Sequence, residues 1–527
     1  MKYLKMAIPP GVKWHGTAYQ CSNRWHDASL MRWDQGNMMP VGGWTRYLDS
    51  NGSPVSIGTG QVPREAHSWF LNEGADGNGA GYYMAVGFPN SLYVMDGTGK
   101  ISNISSGITL PGSETSSKNR GYGGGKYGME AYGEPRNTEG QTRIPPTSWT
   151  IDNYGEDMIA VSTSDTRLWR WKPDDAKMKV LTDAPRCLSL VATEERFIFA
   201  LAAEINGSIN VRRIAWCDRE DPTVWTATSQ NEAGGFELQT DGAIRCGIRV
   251  RGRTLILTTT DAHVAQYSGP PLVYGFQQVG KNCGVISDRA VAATGAGAFW
   301  MGRDGFYMYD GSAVRELPCE VSDKVFRFMD TSFPQNVYAV ANAKFNEIVW
   351  FYSSRETDGI ETSEDGNPVI KKYNDRYVAY DYAQNIWSMG YLDRHTGVDS
   401  GVFQDPIWLD KDGKVYKHEI ENAPHGDQKP FAETGPVSIG EGDQVIKATQ
   451  LLVDSIPTGR VTATFKTRFE PQGEEQVHGP YELTPKTDVR FTGRQMRMRI
   501  DVNDDETGNK DVRIGDMRVG VSGGGVR

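Results

Sequence analysis

The sequence predicts an all-β protein: a β-propeller of about six or seven blades, with a β-sandwich or jelly-roll platform built from the chain ends. Three observations predict it. Across 527 residues, 60 Gly, 23 Tyr and 14 Trp favour turns and strands over long amphipathic helices. A hairpin-centred unit recurs through the middle of the chain. The last hundred residues alternate apolar and polar side chains with a period of two.

The recurring unit is clearest in FWMGRDGFYMYDGSAVREL, residues 299–317, where two Asp-Gly pairs follow apolar runs. Related copies are YYMAVGFPNSLYVMDGTG (82–99), MIAVSTSDTRLWRWKP (158–173) and IWLDKDGKVYKH (407–418). Looser ones occupy 196–216, 253–269 and 347–390. Each pairs a short apolar strand with a second strand centred on an aromatic, at intervals of roughly 35 to 50 residues once long loops are discounted. A lone small sheet has two faces to cover, and radial stacking against neighbours covers both. The Asp-Gly pairs are expected at tight turns, where Gly tolerates positive φ. Unrelated hairpins in a sandwich are the competing reading.

In chain order, residues 1–60 carry no blade pattern but hold Trp14, Trp25, Trp33 and Trp44, and are read as an arm contributing to the platform. Residues 61–420 are the propeller, with loop insertions near 105–147 and 355–374; its last blade can be completed by a strand from elsewhere in the chain. A Pro-, Gly- and charge-rich connector, NAPHGDQKPFAETGP, opens the segment 421–527, where VTATFKTRF, QMRMRIDV and DVRIGDMRVGV read as strands with one wet face. These make the C-terminal β-sandwich of the platform.

The chemistry is sparse. Six well-separated cysteines form no CxxC pair, and eight histidines form no HExxH, so neither a metal site nor any other cofactor is expected. GxSxG is missing. GYGGGK (121–126) lacks the Ser or Thr and the glycine spacing of a phosphate loop, DVNDDETG (501–508) has Glu506 where a calcium loop needs Gly, and TSDTRLW (163–169) is one degenerate Asp box. No enzyme is predicted, although paired carboxylates of a glycosidase cannot be placed from sequence. Tyr122, Tyr127 and Tyr132, spaced by five in a Gly-rich stretch, are candidate interaction residues on a loop. Arg497 and Arg499 fall on one strand face and are candidate inter-subunit or partner-facing groups; Arg249, Arg251 and Arg253 are read the same way. With 56 basic against 66 acidic residues, a net charge of −10 argues against tight phosphate binding. MKYLKMAIPPG leaves no room for a signal-peptide core, and no run has the roughly 18 apolar residues of a membrane span, so synthesis and folding in a cytoplasm without stable membrane insertion are expected.

Several stretches look alike to a known family. MAIPPGVKWHGTAYQCSNRWHDASLMRWDQGNMMPVGGW, GYGGGKYGMEAYG, SWTIDNYGEDMIAV with LWRWKP, IAWCDREDPTVWTAT followed by NEAGGF, and RFTGRQMRMRID with RIGDMRVGVSGGGVR resemble the tail-hub or nozzle proteins of short-tailed bacteriophages, the packaged-DNA stabilisation proteins. The resemblance implies a virion structural protein assembled in the host cytoplasm, with a propeller joined to a platform from the chain ends. It further implies a hexamer in the tail below the head-to-tail adaptor, near tail fibre or spike proteins, retaining double-stranded DNA and then passing it during ejection. Six copies at −10 would carry about −60, and an acidic conduit repels phosphates rather than trapping them. The alternative is a receptor-binding or polysaccharide-degrading tail protein that uses the propeller as a ligand platform.

Overall fold

A computed structural model describes the chain except residues 1, 18, 59, 73–80, 109–111, 113–116, 119–142, 145, 332, 356–360, 363–367, 370–372, 422, 439–444, 457–460, 471–472, 504–511 and 524–527. Seven four-stranded antiparallel sheets follow one another along the chain. Their first strands are Glu65–Leu71, Trp149–Tyr154, Ser189–Ala192, Ile244–Val250, Val291–Thr294, Tyr338–Asn342 and Thr396–Val398. Each contacts the next and the seventh returns to the first, which closes a seven-bladed propeller around an axis. Every copy of the sequence motif supplies the two middle strands of a different blade, one per blade.

The seventh blade takes its outermost strand, Gly43–Arg46, from the N-terminal arm, with Tyr416 opposite Arg46 and Ile420 opposite Gly43. Closing the ring with a distant strand joins the first and last blades non-covalently and leaves no blade short of its fourth strand. Gly43 is required there because a Cβ would stand 2.0 Å from the Ala423 carbonyl oxygen. Of the two Asp-Gly pairs in blade 5, only Gly311 has positive φ, at 99°; Gly305 does not. The first turn closes instead through the Gly302 N–H donating to the Gly305 carbonyl, so the expectation of positive φ holds for one turn of the two.

The tryptophan content has a structural use between blades. Trp149 of blade 2 donates its indole N–H to the Phe88 carbonyl of blade 1 (2.6 Å). Trp300 of blade 5 donates to Cys283 (2.7 Å), just past blade 4, and Trp350 and Trp387 of blade 6 donate to Ala290 and Pro318, which flank blade 5. Each large ring thus fills the seam between two sheets while its one polar atom ties the blade to its predecessor.

Both chain ends build the second module, two packed sheets. In one, Lys2–Met6 pairs with Arg513–Gly523, which also pairs with Ile446–Ile456 and touches Asn37–Pro40; Met31–Asp34 and Lys486–Gly493 are its edges. The other runs Trp25–Ser29, Phe431–Thr434, Gln495–Val502, Val461–Arg468 and Gln476–Glu482, with Val437–Ser438 alongside. Burial alternates strictly along Val461–Arg468 and Gln495–Val502, the period-two signature read from sequence.

This sandwich shares one continuous apolar core with blades 4, 5 and 6. A buried ionic network adds to the join. Arg32 of the platform donates to Glu347 of blade 6 (3.0 and 2.7 Å) and to Glu419 of blade 7 (2.8 and 2.6 Å). Asn342 donates to Glu419 (2.9 Å), and the guanidinium lies 3.7 Å over Phe345. All three charged groups are at most 6% exposed. Burial raises the Glu347 carboxyl despite Arg32, whereas beside Glu419 burial is outweighed by Arg32, so that carboxyl is lowered.

Candidate functional site

Two regions gather groups that chemistry or assembly could use: the platform surface and the propeller axis. On the outer face of the platform, Arg497 and Arg499 project from the same side of one strand, next to Lys466 across the ladder. They surround Glu433, which is 5% exposed: Arg497 at 2.5 Å, Lys466 at 2.9 Å and Arg499 at 3.9 Å. Arg497 also reaches Glu475, and Arg499 pairs with Asp501 at 2.8 Å and lies 3.8 Å over Phe431. Both arginines are therefore engaged within their own chain. Tyr122, Tyr127 and Tyr132 lie outside the described residues.

The two edges of the sandwich differ. At one, Met6, Ile8, Trp25, Trp33, Met38 and Met517 line a groove of about 260 Å³, and the buried Trp33 indole N–H has no partner. Lys5 and Asp516 bridge the groove's rim at 2.6 Å. At the other, Gln476–Glu482 pairs, among the described residues, only with Val461–Arg468, and Val477 is 65% exposed.

Six of the seven inner strands, with the segment that leads into blade 5, enclose an axial cavity of about 340 Å³. Its polar lining forms two pairs. Arg289 stands 2.6 Å from Glu65, with both side chains at most 10% exposed. Arg249 donates to Asp152 (2.8 Å), whose other oxygen accepts the Ala192 N–H. His67 stacks on Trp69 and shares a hydrogen bond with Asn153 (3.2 Å). Burial pushes the Glu65 carboxyl up to about 8, with Asp288 and Asp152 adding to the rise and Arg289 opposing it. Burial lowers His67, favouring the neutral ring, and pushes the Cys246 thiol in the cavity wall up to about 12.

Sequence reasoning placed Arg249, Arg251 and Arg253 on one strand face, and the structure corrects this. Arg249 ends an inner strand and enters the axial cavity, whereas Arg251 sits in the turn with φ of 48° and donates to the Asp310 and Gly295 carbonyls. Arg253 opens the next strand and donates to Gly311. No sequence signal marked Glu65, His67, Asp152, Asp288 and Arg289 as neighbours, because they come from three distant segments: blade 1, blade 2 and the lead into blade 5. The degenerate Asp box is a structural turn: Asp165 accepts from the Trp169 indole and from Arg167. Among the described residues no group of three or more His, Cys, Asp or Glu could hold a metal ion, and no helix is long and apolar enough to cross a membrane.

No family model and no curated protein matches the chain. Solved structures similar to it are propellers or contain them. The Cps50 (Swd1) β-propeller domain of Myceliophteria thermophila is 8% identical, with a TM-score of 0.36 over 69% of this chain and 98% of that one. BamB from Moraxella catarrhalis is 10% identical, with a TM-score of 0.28 over 53% and 85%. A chain of a nidogen/laminin complex is 9% identical, with a TM-score of 0.27 over 51% and 86%. The propeller assignment itself rests on the seven sheets and their closed order.

Proposed function

We propose that this chain is a subunit of a phage tail nozzle, a hexameric ring below the head-to-tail adaptor through which double-stranded DNA is retained and then passed. The observation that carries the proposal is the platform: both chain ends pair in one sandwich, Lys2–Met6 against Arg513–Gly523, beside a propeller closed by the same N-terminal arm. That is the arrangement the sequence resemblance implies. The platform's opposite edges also suit head-to-tail association, in which one surface of a copy meets a different surface of the next and a ring results if the rotation closes. One edge offers an apolar groove of about 260 Å³, the other a strand paired on one side, with an exposed Val477.

Light scattering on the purified protein, alone and with an adaptor ring, tests this. The expected result is a hexamer, weakened to monomer by Val477→Asp without loss of the fold. A persistent monomer that also fails to ring on the adaptor overturns it.

The alternative, a receptor-binding or polysaccharide-degrading tail protein, draws on the carboxylates of the axial cavity. That cavity is enclosed by six inner strands and suits a monomer-sized molecule rather than a chain of sugars. Release of reducing sugar from host capsule or lipopolysaccharide would favour this second reading over the nozzle.

A further inference from the structure

The axial cavity holds polar groups that the fold leaves unanswered. Asp288 lines it with no hydrogen-bond or ion-pair partner among the described residues. The contact of Arg289 with Glu65 is an ion pair lacking hydrogen-bond alignment, so the Nε and Nη2 donors of Arg289 have no partner although its side chain is only 10% exposed. Arg289 is held in place by its own backbone: its carbonyl accepts the Ala339 N–H (2.8 Å) and its N–H donates to Ser287. A buried guanidinium with idle donors costs free energy unless an acceptor reaches it, and a free carboxylate in the same cavity asks for a cationic donor. Solvent has access, since the Arg249 side chain is 36% exposed and that of His67 23%.

We propose that the axial cavity binds a small zwitterion of the free amino-acid class, its ammonium group on Asp288 and its carboxylate on Arg289. Several features fit this class. A cavity of about 340 Å³ has room for one such molecule. The carboxylates (Asp152, Asp288 and the raised Glu65) and the guanidiniums (Arg249, Arg289) of the lining are close to balance, so a zwitterion, which adds no net charge, answers Asp288 and the idle donors of Arg289 at once. The walls between them, Ile151, Val191, Ile248 and Val291, are apolar and exclude water from the contacts. The proposal is independent of ring assembly.

The test is calorimetry on the full-length protein with each of the twenty free L-amino acids, and with ethylammonium and acetate as the two half-ligands. At least one amino acid should bind saturably with Kd below about 1 mM, and each half-ligand at least about tenfold more weakly. Asp288→Asn should weaken binding about tenfold or more with its thermal midpoint unchanged. Ala293→Met, which narrows the cavity, should do the same. No saturable heat from any of the twenty at about 20 mM, or equal binding by ethylammonium alone, or unchanged affinity in Asp288→Asn, overturns the proposal.

Discussion

Arg32→Ala removes the cation that two buried carboxylates share. In the wild type the guanidinium makes four contacts of 2.6 to 3.0 Å to Glu347 and Glu419, and these tie the platform to blades 6 and 7. Removing one partner of a buried ion pair typically costs about 3–5 kcal/mol, because the remaining charge stays desolvated. The stranded carboxylates can escape only by taking up protons, since burial raises both and Arg32 is what opposes it. A carboxyl raised in the folded state contributes stability that is full below its unfolded value of 4.5 and is lost as pH rises through its folded value. The deficit of the variant should therefore widen from about pH 5 to pH 8. Urea unfolding followed by tryptophan fluorescence at four pH values measures it. The triple variant Arg32→Ala, Glu347→Gln, Glu419→Gln should recover part of the loss, because its amides need no cation. A deficit under about 1 kcal/mol, or one equal at pH 5 and pH 8, would refute the reasoning.

Other perturbations address the propeller. Gly43→Ala forces the closing strand off the Ala423 carbonyl, and should cost about 1–3 kcal/mol and speed hydrogen exchange in Val415–Ile420 while blades 3 and 4 keep their protection. Trp350→Ala should lose about 3–5 kcal/mol in thermal or urea unfolding, and Trp350→Phe about 1–2, through the smaller ring and one lost hydrogen bond, since the Ala290 carbonyl keeps the Met301 N–H. Glu65→Gln should flatten the pH dependence of the thermal midpoint: the raised wild-type carboxyl gives stability present below 4.5 and lost as pH climbs to about 8, and the amide has no such loss.

The propeller could be read in the sequence because most blades are local objects: their middle strands are adjacent in the chain and meet at short turns, so apolar runs such as Phe299–Met301 and Phe306–Tyr309 announce themselves. Period two did the same for Val461–Arg468. What no local pattern carries is closure and convergence. Gly43–Arg46 is a four-residue strand whose partner lies more than 350 residues away, and Arg249, Asp152 and Glu65 meet only because blades 4, 2 and 1 share an axis with blade 5 and Arg289. Arg497 and Arg499 were correctly placed on one face by alternation, but Glu433, the group that occupies them, comes from a strand some 60 residues earlier.

The central proposal is that this chain stands in a ring at the head-to-tail junction of a tailed phage. Electron imaging of the particle that carries it, with the chain marked by a labelled antibody, tests this directly. The account predicts label with sixfold order on the axis immediately below the adaptor; label on peripheral spikes, or in threefold groups away from the axis, would contradict it.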